Sequence, residues 1–194
     1  MRTMMAGLLL MGLAPAAHGE EIVSAYTDLD LEKNCTIFDV NEEGGDFANF
    51  VCNGYGGYPV LIYSADLRES VYYGFPRTEA HVWESFSAFN TSGPKIEWRI
   101  SKHGDRTIPF ATIHRWFVSD PEDSEKKTEV LVVAKVGLVE ERDGCTVALV
   151  MASGNPKANE TARKIADEQA RGFACGGDER VLVGDNIPVF DRSE

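Results

Sequence analysis

Positive charge is scarce in this chain of 194 residues: 19 Lys and Arg side chains stand against 31 Asp and Glu, a formal net charge of −12. That balance makes nucleic acid a poor partner, because gripping phosphates takes clustered Lys and Arg. An anionic membrane surface is disfavoured for the same reason. Long apolar runs are lacking as well. Beyond the first 19 residues nothing approaches the roughly 20 apolar residues of a membrane-spanning helix, so no span is expected in the mature chain.

Local catalytic signatures are also missing. There is no Gly-x-Ser-x-Gly, no His-Glu-x-x-His and no Cys-x-x-Cys. His81, His103 and His114 are dispersed without ligand spacing. No catalytic residue and no cofactor is implied by these patterns, although a site assembled from distant residues would escape them. Neither an internal repeat nor a low-complexity linker divides the chain.

What is present begins with an export pattern. Arg2 precedes an apolar run from Met4 to Leu13, and Ala17-His18-Gly19 offers small residues at a peptidase site. Cleavage after Gly19 leaves 175 of the 194 residues, enough for one secreted globular domain over 20–194. The charged inventory then loses only Arg2, and acids crowd into residues 20–46, where Lys33 is the sole base. The expected location is periplasmic or secreted. In that oxidising space an even count of cysteines reads as disulfides, and the local pairing Cys35 with Cys52 and Cys145 with Cys175 is favoured. Loops of this length stabilise by roughly 3 kcal/mol each when closed.

Periodicity sets the fold class. Cys35–Val40 and Phe47–Asn53 read as a hairpin around Glu42-Glu43-Gly44-Gly45, and Pro59–Ala65 and Glu69–Phe75 as two further strands. Residues 76–94 have mixed periodicity and read as an irregular connection ending in Asn90-Thr91-Ser92-Gly93-Pro94. From Lys95 to Lys102, Ile96, Trp98 and Ile100 alternate with Glu97, Arg99 and Ser101, a strand with one wet face. Thr107–Ser119, Thr128–Leu138 and Cys145–Ala152 are β-prone. Asn155 as cap, Pro156 at the first position and Ala158–Arg171 then predict a helix, with Ala158, Ala162, Ile165, Ala166 and Gln169 on the face that meets a sheet. A short strand over Arg180–Gly184 precedes a polar tail. The expected architecture is α+β: about eight or nine mainly antiparallel strands, one late helix packed on them, and two disulfide staples.

Three constellations carry candidate chemistry. Asp28, Asp30 and Glu32 alternate like the opening of a calcium loop, but Lys33 and Asp39 stand where that loop needs Gly and a bidentate Glu. On a strand the three carboxylates would share one face, leaving an irregular cation site against the simpler reading of a solvated edge. The loop Gly54–Tyr58 lacks the partners of a phosphate cradle and reads as a turn needing positive φ, with Tyr55 and Tyr58 as a possible aromatic contact surface. Trp98, Arg99 and His114 are the candidates for a ligand site in the centre, against the commoner reading of a buried, hydrogen-bonded histidine. The sequons at Asn34, Asn90 and Asn159 matter only in a eukaryotic source.

Asp28-Leu29-Asp30-Leu31 before Cys35, Cys52-Asn53-Gly54-Tyr55-Gly56-Gly57-Tyr58-Pro59-Val60, Ile96-Glu97-Trp98-Arg99 and Asn155-Pro156-Lys157-Ala158-Asn159 together resemble a group of small exported proteins of alphaproteobacteria. The resemblance implies a periplasmic location and transfers no mechanism. The expected function is a non-catalytic binding module of the cell envelope, one form being an inhibitor-like partner of a basic protein such as lysozyme. The alternatives are an envelope enzyme with a composite site near Trp98, Arg99 and His114, and a cation-binding protein.

Overall fold

The structure is a computed structural model and describes residues 20–41, 47–77, 82–123 and 125–193. The export signal expected over residues 1–19 and the turn expected at 42–45 lie outside them. Twelve strands and one helix follow in order: β1 (Glu21–Asp28), β2 (Cys35–Val40), β3 (Phe47–Asn53), β4 (Pro59–Ala65), β5 (Arg68–Tyr73), β6 (Trp83–Phe86), β7 (Asn90–His103), β8 (Arg106–Ser119), β9 (Lys127–Lys135), β10 (Cys145–Met151), α1 (Ala158–Gln169), β11 (Val181–Val183) and β12 (Phe190–Ser193). They form a six-stranded sheet ordered β1-β7-β8-β9-β10-β11, a four-stranded meander β2-β3-β4-β5, and a two-stranded ribbon β12-β6. Every pairing is antiparallel except β10 with β11, which α1 connects.

The large sheet is the middle layer. On one face Phe110, Ile113, Leu131, Val133 and Val150 meet the small-residue stripe Ala158, Ala162, Ile165 and Ala166 of α1. Alanines let the helix axis come close to the sheet; four of the five residues expected on this face are buried, while Gln169 at the end of the helix is exposed and Ala170 beside it is buried instead. On the other face Ile96, Trp98 and Ile100 pack against Val60, Ile62 and Tyr73 of the meander. Beside them Trp116, Val118, Val130 and Val132 lie under Phe86 and Phe190 of the ribbon. The inner strands are thus covered twice, which is why Val130 to Val136 is buried without alternation.

The disulfides are Cys35–Cys52, directly opposed across β2 and β3 with 3.9 Å between Cα atoms, and Cys145–Cys175, which ties the start of β10 to the segment beyond α1 at 5.8 Å. No helix among the described residues is long and apolar enough to cross a membrane.

Several local expectations are corrected. Residues 76–94 are not wholly irregular, since β6 and the start of β7 lie there. Gly93 and Pro94 look like a break, yet β7 runs through them and stays paired with β8, its register shifting between Ser92 and Ile96. Asn90, offered as a sequon, is 2% exposed, and its amide donates to the backbone carbonyls of Phe86 and Ala88. Asn155 is not the cap of α1: its side chain accepts from the Lys157 N–H at 3.0 Å, an Asx turn just before the helix. The supposed wet face of β7 is dry, with Glu97 and Arg99 only 6% and 8% exposed, because α1 lies over it.

Candidate functional site

The alternation in β7 sends Trp98 and Arg99 to opposite faces of the sheet. Trp98 is fully buried toward the meander and its indole N–H donates to Thr27 Oγ1 at 2.8 Å. Arg99 points to α1 and lays its guanidinium on Asp167, with Nε and Nη2 each 2.7 Å from a carboxylate oxygen. A second fork runs the other way: Arg163 of α1 places Nε 2.6 Å and Nη2 3.0 Å from the two Glu97 oxygens. The Ser24 hydroxyl joins them, donating to Glu97 and accepting from Arg99. Burial pushes the Glu97 carboxyl up, but the bonds from Arg163 and Ser24 and the nearby positive charge outweigh it and hold it below its ordinary value. Four charges in two bidentate pairs therefore clamp the helix to the sheet.

His114 of β8 is wholly enclosed. Its Nε2 lies 2.6 Å from the Gly93 carbonyl, which can only accept, so that nitrogen carries the proton and Nδ1 accepts from the Tyr73 hydroxyl at 2.8 Å. Burial drives the imidazole down to about 4, so the ring is neutral at physiological pH. With both nitrogens engaged, and Arg99 on the far side of the sheet, the composite catalytic constellation is not assembled.

The other candidates are likewise engaged in the fold. Tyr55 leans on Trp98 with ring centroids 6.5 Å apart, and Tyr58 meets Phe75 edge-on at 5.3 Å. Gly56 and Gly57 between them take φ of 59° and 86°, the positive values the loop requires. Asp28 ends β1 and pairs with Lys95 at 2.5 Å, while Asp30 opens a turn by accepting from the Glu32 and Lys33 backbone and pairing with Lys33. The shared strand face that a cation would need for Asp28, Asp30 and Glu32 does not exist, and no group of three or more metal-ligating side chains gathers among the described residues.

What remains open lies at one end of the ribbon. A groove of about 780 Å³ runs between residues 87–89, the β8–β9 turn at 119–121 and the segment 186–189. Its walls are held by backbone bonds: Ser87 N–H to the Val189 carbonyl at 2.9 Å, and Ser119 N–H to the Phe89 carbonyl at 2.8 Å. Phe89 is 48% exposed and Val189 66% exposed, with Ala88, Ile187 and Pro188 between them. Acids stand along one side of this apolar surface, on a turn that also carries the exposed Lys126 and Lys127, the latter donating to Ser119 of the groove. Asp120 lines the groove, and Glu122, Asp123 and Glu125 stand exposed on the adjoining turn. Across the 187–189 ridge, Asp178, Glu179, Arg180 and the exposed Leu182 line a second hollow.

None of these groove residues stood out in the sequence. The available signal was Ile187-Pro188-Val189-Phe190, an apolar tetrad inside the stretch read as a polar tail. No protein-family model matches the chain, and comparison with curated proteins and with solved structures finds no match.

Proposed function

We propose that the chain is an exported, non-catalytic binding module of the cell envelope whose groove at Phe89 and Val189 receives a basic, apolar segment of another envelope or secreted protein. The observation that carries this reading is the pairing of exposed apolar side chains with acids on one side of the groove, where Asp120, Glu122, Asp123 and Glu125 outnumber Lys126 and Lys127. Apolar surface left open in a folded domain drives association, and acids beside it select a basic partner and speed its approach. The engagement of Trp98, Arg99 and His114 in structural contacts supports the non-catalytic reading over an enzyme centred on them. Export is supported by the N-terminal pattern, by two disulfides with no free cysteine among the described residues, and by the resemblance to small periplasmic proteins. Inhibition of a basic lytic enzyme such as lysozyme is one concrete form of the activity.

The test is capture of exported proteins at low ionic strength and again at about 0.5 M salt, where the Debye length shrinks to a few ångströms. The wild-type chain is expected to retain a basic protein at low salt and release it at high salt, and the variant Phe89→Ser/Val189→Ser is expected to lose it. A partner held equally by that variant, or the absence of any salt-sensitive basic partner, overturns the reading.

A further inference from the structure

At the other end of the ribbon lies a recess of about 170 Å³ that shares no lining residue with the groove. It sits between the end of β5, the β9–β10 connection and β12. Its charge runs against that of the chain: Arg77, Lys135, Arg142 and Arg192 line it against two carboxylates, Glu84 and Asp143. Both carboxylates are already engaged. Asp143 gives one oxygen to Arg77 at 3.0 Å and the other to Lys135 at 3.1 Å. Glu84 accepts the Thr146 N–H at 2.7 Å.

The cations are not used up. Lys135 is nine-tenths buried and spends two of its three N–H donors, on Asp143 and on the Phe173 carbonyl at 3.0 Å. Among the described residues Arg142 reaches only the carbonyls of Val139 and Pro76, at 3.4 and 3.5 Å. Arg192 stands 3.7 Å from Glu84, beyond hydrogen-bond length. The loop that presents Arg142 is also built rigidly. Arg142 holds φ at +52°, and the Tyr72 hydroxyl lies 3.2 Å from the Phe75 carbonyl and 3.4 Å from that of Arg142. Burial, reinforced by Asp143, pushes that phenol up to about 12 and keeps it a donor. A Cβ on Gly144 would fall 2.9 Å from the Tyr72 ring, so glycine is what lets the ring wedge under the loop.

We infer that this recess binds a small oxyanion, a phosphate or a carboxylate group, held by Lys135, Arg142 and Arg192. An oxyanion supplies several acceptor oxygens in the space of a few heavy atoms, which matches both the volume and the surplus of donors on the buried Lys135, the partly buried Arg192 and the exposed Arg142. In a chain of net charge −12 a cationic recess of this kind has no role in solubility.

The experiment is titration of the oxidised full chain with inorganic phosphate, and separately with succinate, followed by calorimetry and by amide chemical shifts. Saturable binding is expected at millimolar ligand or below, with shifts confined to 72–77, 134–136, 142–146 and 190–193. Whichever anion binds the more tightly names the class. Arg142→Asn, which tolerates the positive φ, and Arg192→Gln should each weaken binding roughly tenfold or more. Lys164→Gln, an equal charge change at an exposed position of α1, should leave it unchanged. Absence of saturation by either anion up to about 10 mM, or equal weakening by Lys164→Gln, overturns the inference.

Discussion

Burial keeps the His114 imidazole neutral far into the acid range, and this has a thermodynamic sign. The folded ring protonates only near pH 4, whereas in the unfolded chain it does so near its ordinary 6.5. Between those values the unfolded state holds the extra proton, so stability is full above 6.5 and falls as the pH drops toward 4, by about 3 kcal/mol in all. Urea unfolding at a series of pH values should show that slope, and His114→Gln should flatten it; an unchanged slope in the variant refutes the neutral-ring assignment. Gly54 is a second position where one atom matters. A Cβ there would sit 2.3 Å from the Tyr58 carbonyl and 2.7 Å from the Trp98 ring. Gly54→Ala should therefore cost about 2 kcal/mol or more in the same assay; a loss under about 0.5 kcal/mol contradicts the packing described.

At the scale of elements, the clamp between β7 and α1 is the main polar bond between layers. Arg99→Met leaves Asp167 without its bidentate partner while Glu97 keeps Arg163, and should cost about 2–4 kcal/mol, the partial exposure of Asp167 moderating the loss. A double-mutant cycle with Asp167→Leu should return a coupling of about 1 kcal/mol or more, and a coupling near zero would show the pair to be ornamental. Glu97 adds a second acid-sensitive contribution, present above pH 4.5 and lost as the pH falls further, because its folded carboxyl lies below that ordinary value. The same clamp explains what the sequence could reveal. Alternation at Ile96, Trp98 and Ile100 marked a strand and its core face, since period two is a local property. Whether Glu97 and Arg99 met water or a helix depended on Arg163 and Asp167, more than 60 residues away. Two short strands escaped for a related reason: β6 and β12 have four residues each and pair with one another across the chain, so neither carries a strand pattern of its own. The turn at Asp30 defeated the carboxylate alternation because Asp30 bonds its own backbone two and three residues on.

For the whole molecule, local covalent ties and distant assembly play different parts. Both disulfides were readable because each closes a nearby unit, of 17 and 30 residues' separation. Cys35–Cys52 joins strands already paired, while Cys145–Cys175 fixes the return of the chain after α1 to the large sheet. Replacing Cys145 and Cys175 together by Ala should therefore lower stability by roughly 3–4 kcal/mol, at least as much as replacing Cys35 and Cys52, as read by denaturant midpoints. The reverse order would assign the weaker role to the wrong bridge. The groove was not readable, since it brings together residues 87–89, 119–121 and 186–189 from three separated stretches. Its use as a docking face is the central claim, and hydrogen exchange of the chain alone and with its captured basic partner tests it most directly. New protection is expected at Phe89, at Ser119 and Asp120 and at Asn186, Ile187 and Val189; protection that falls instead on β2 or α1, with those amides unchanged, contradicts the docking face.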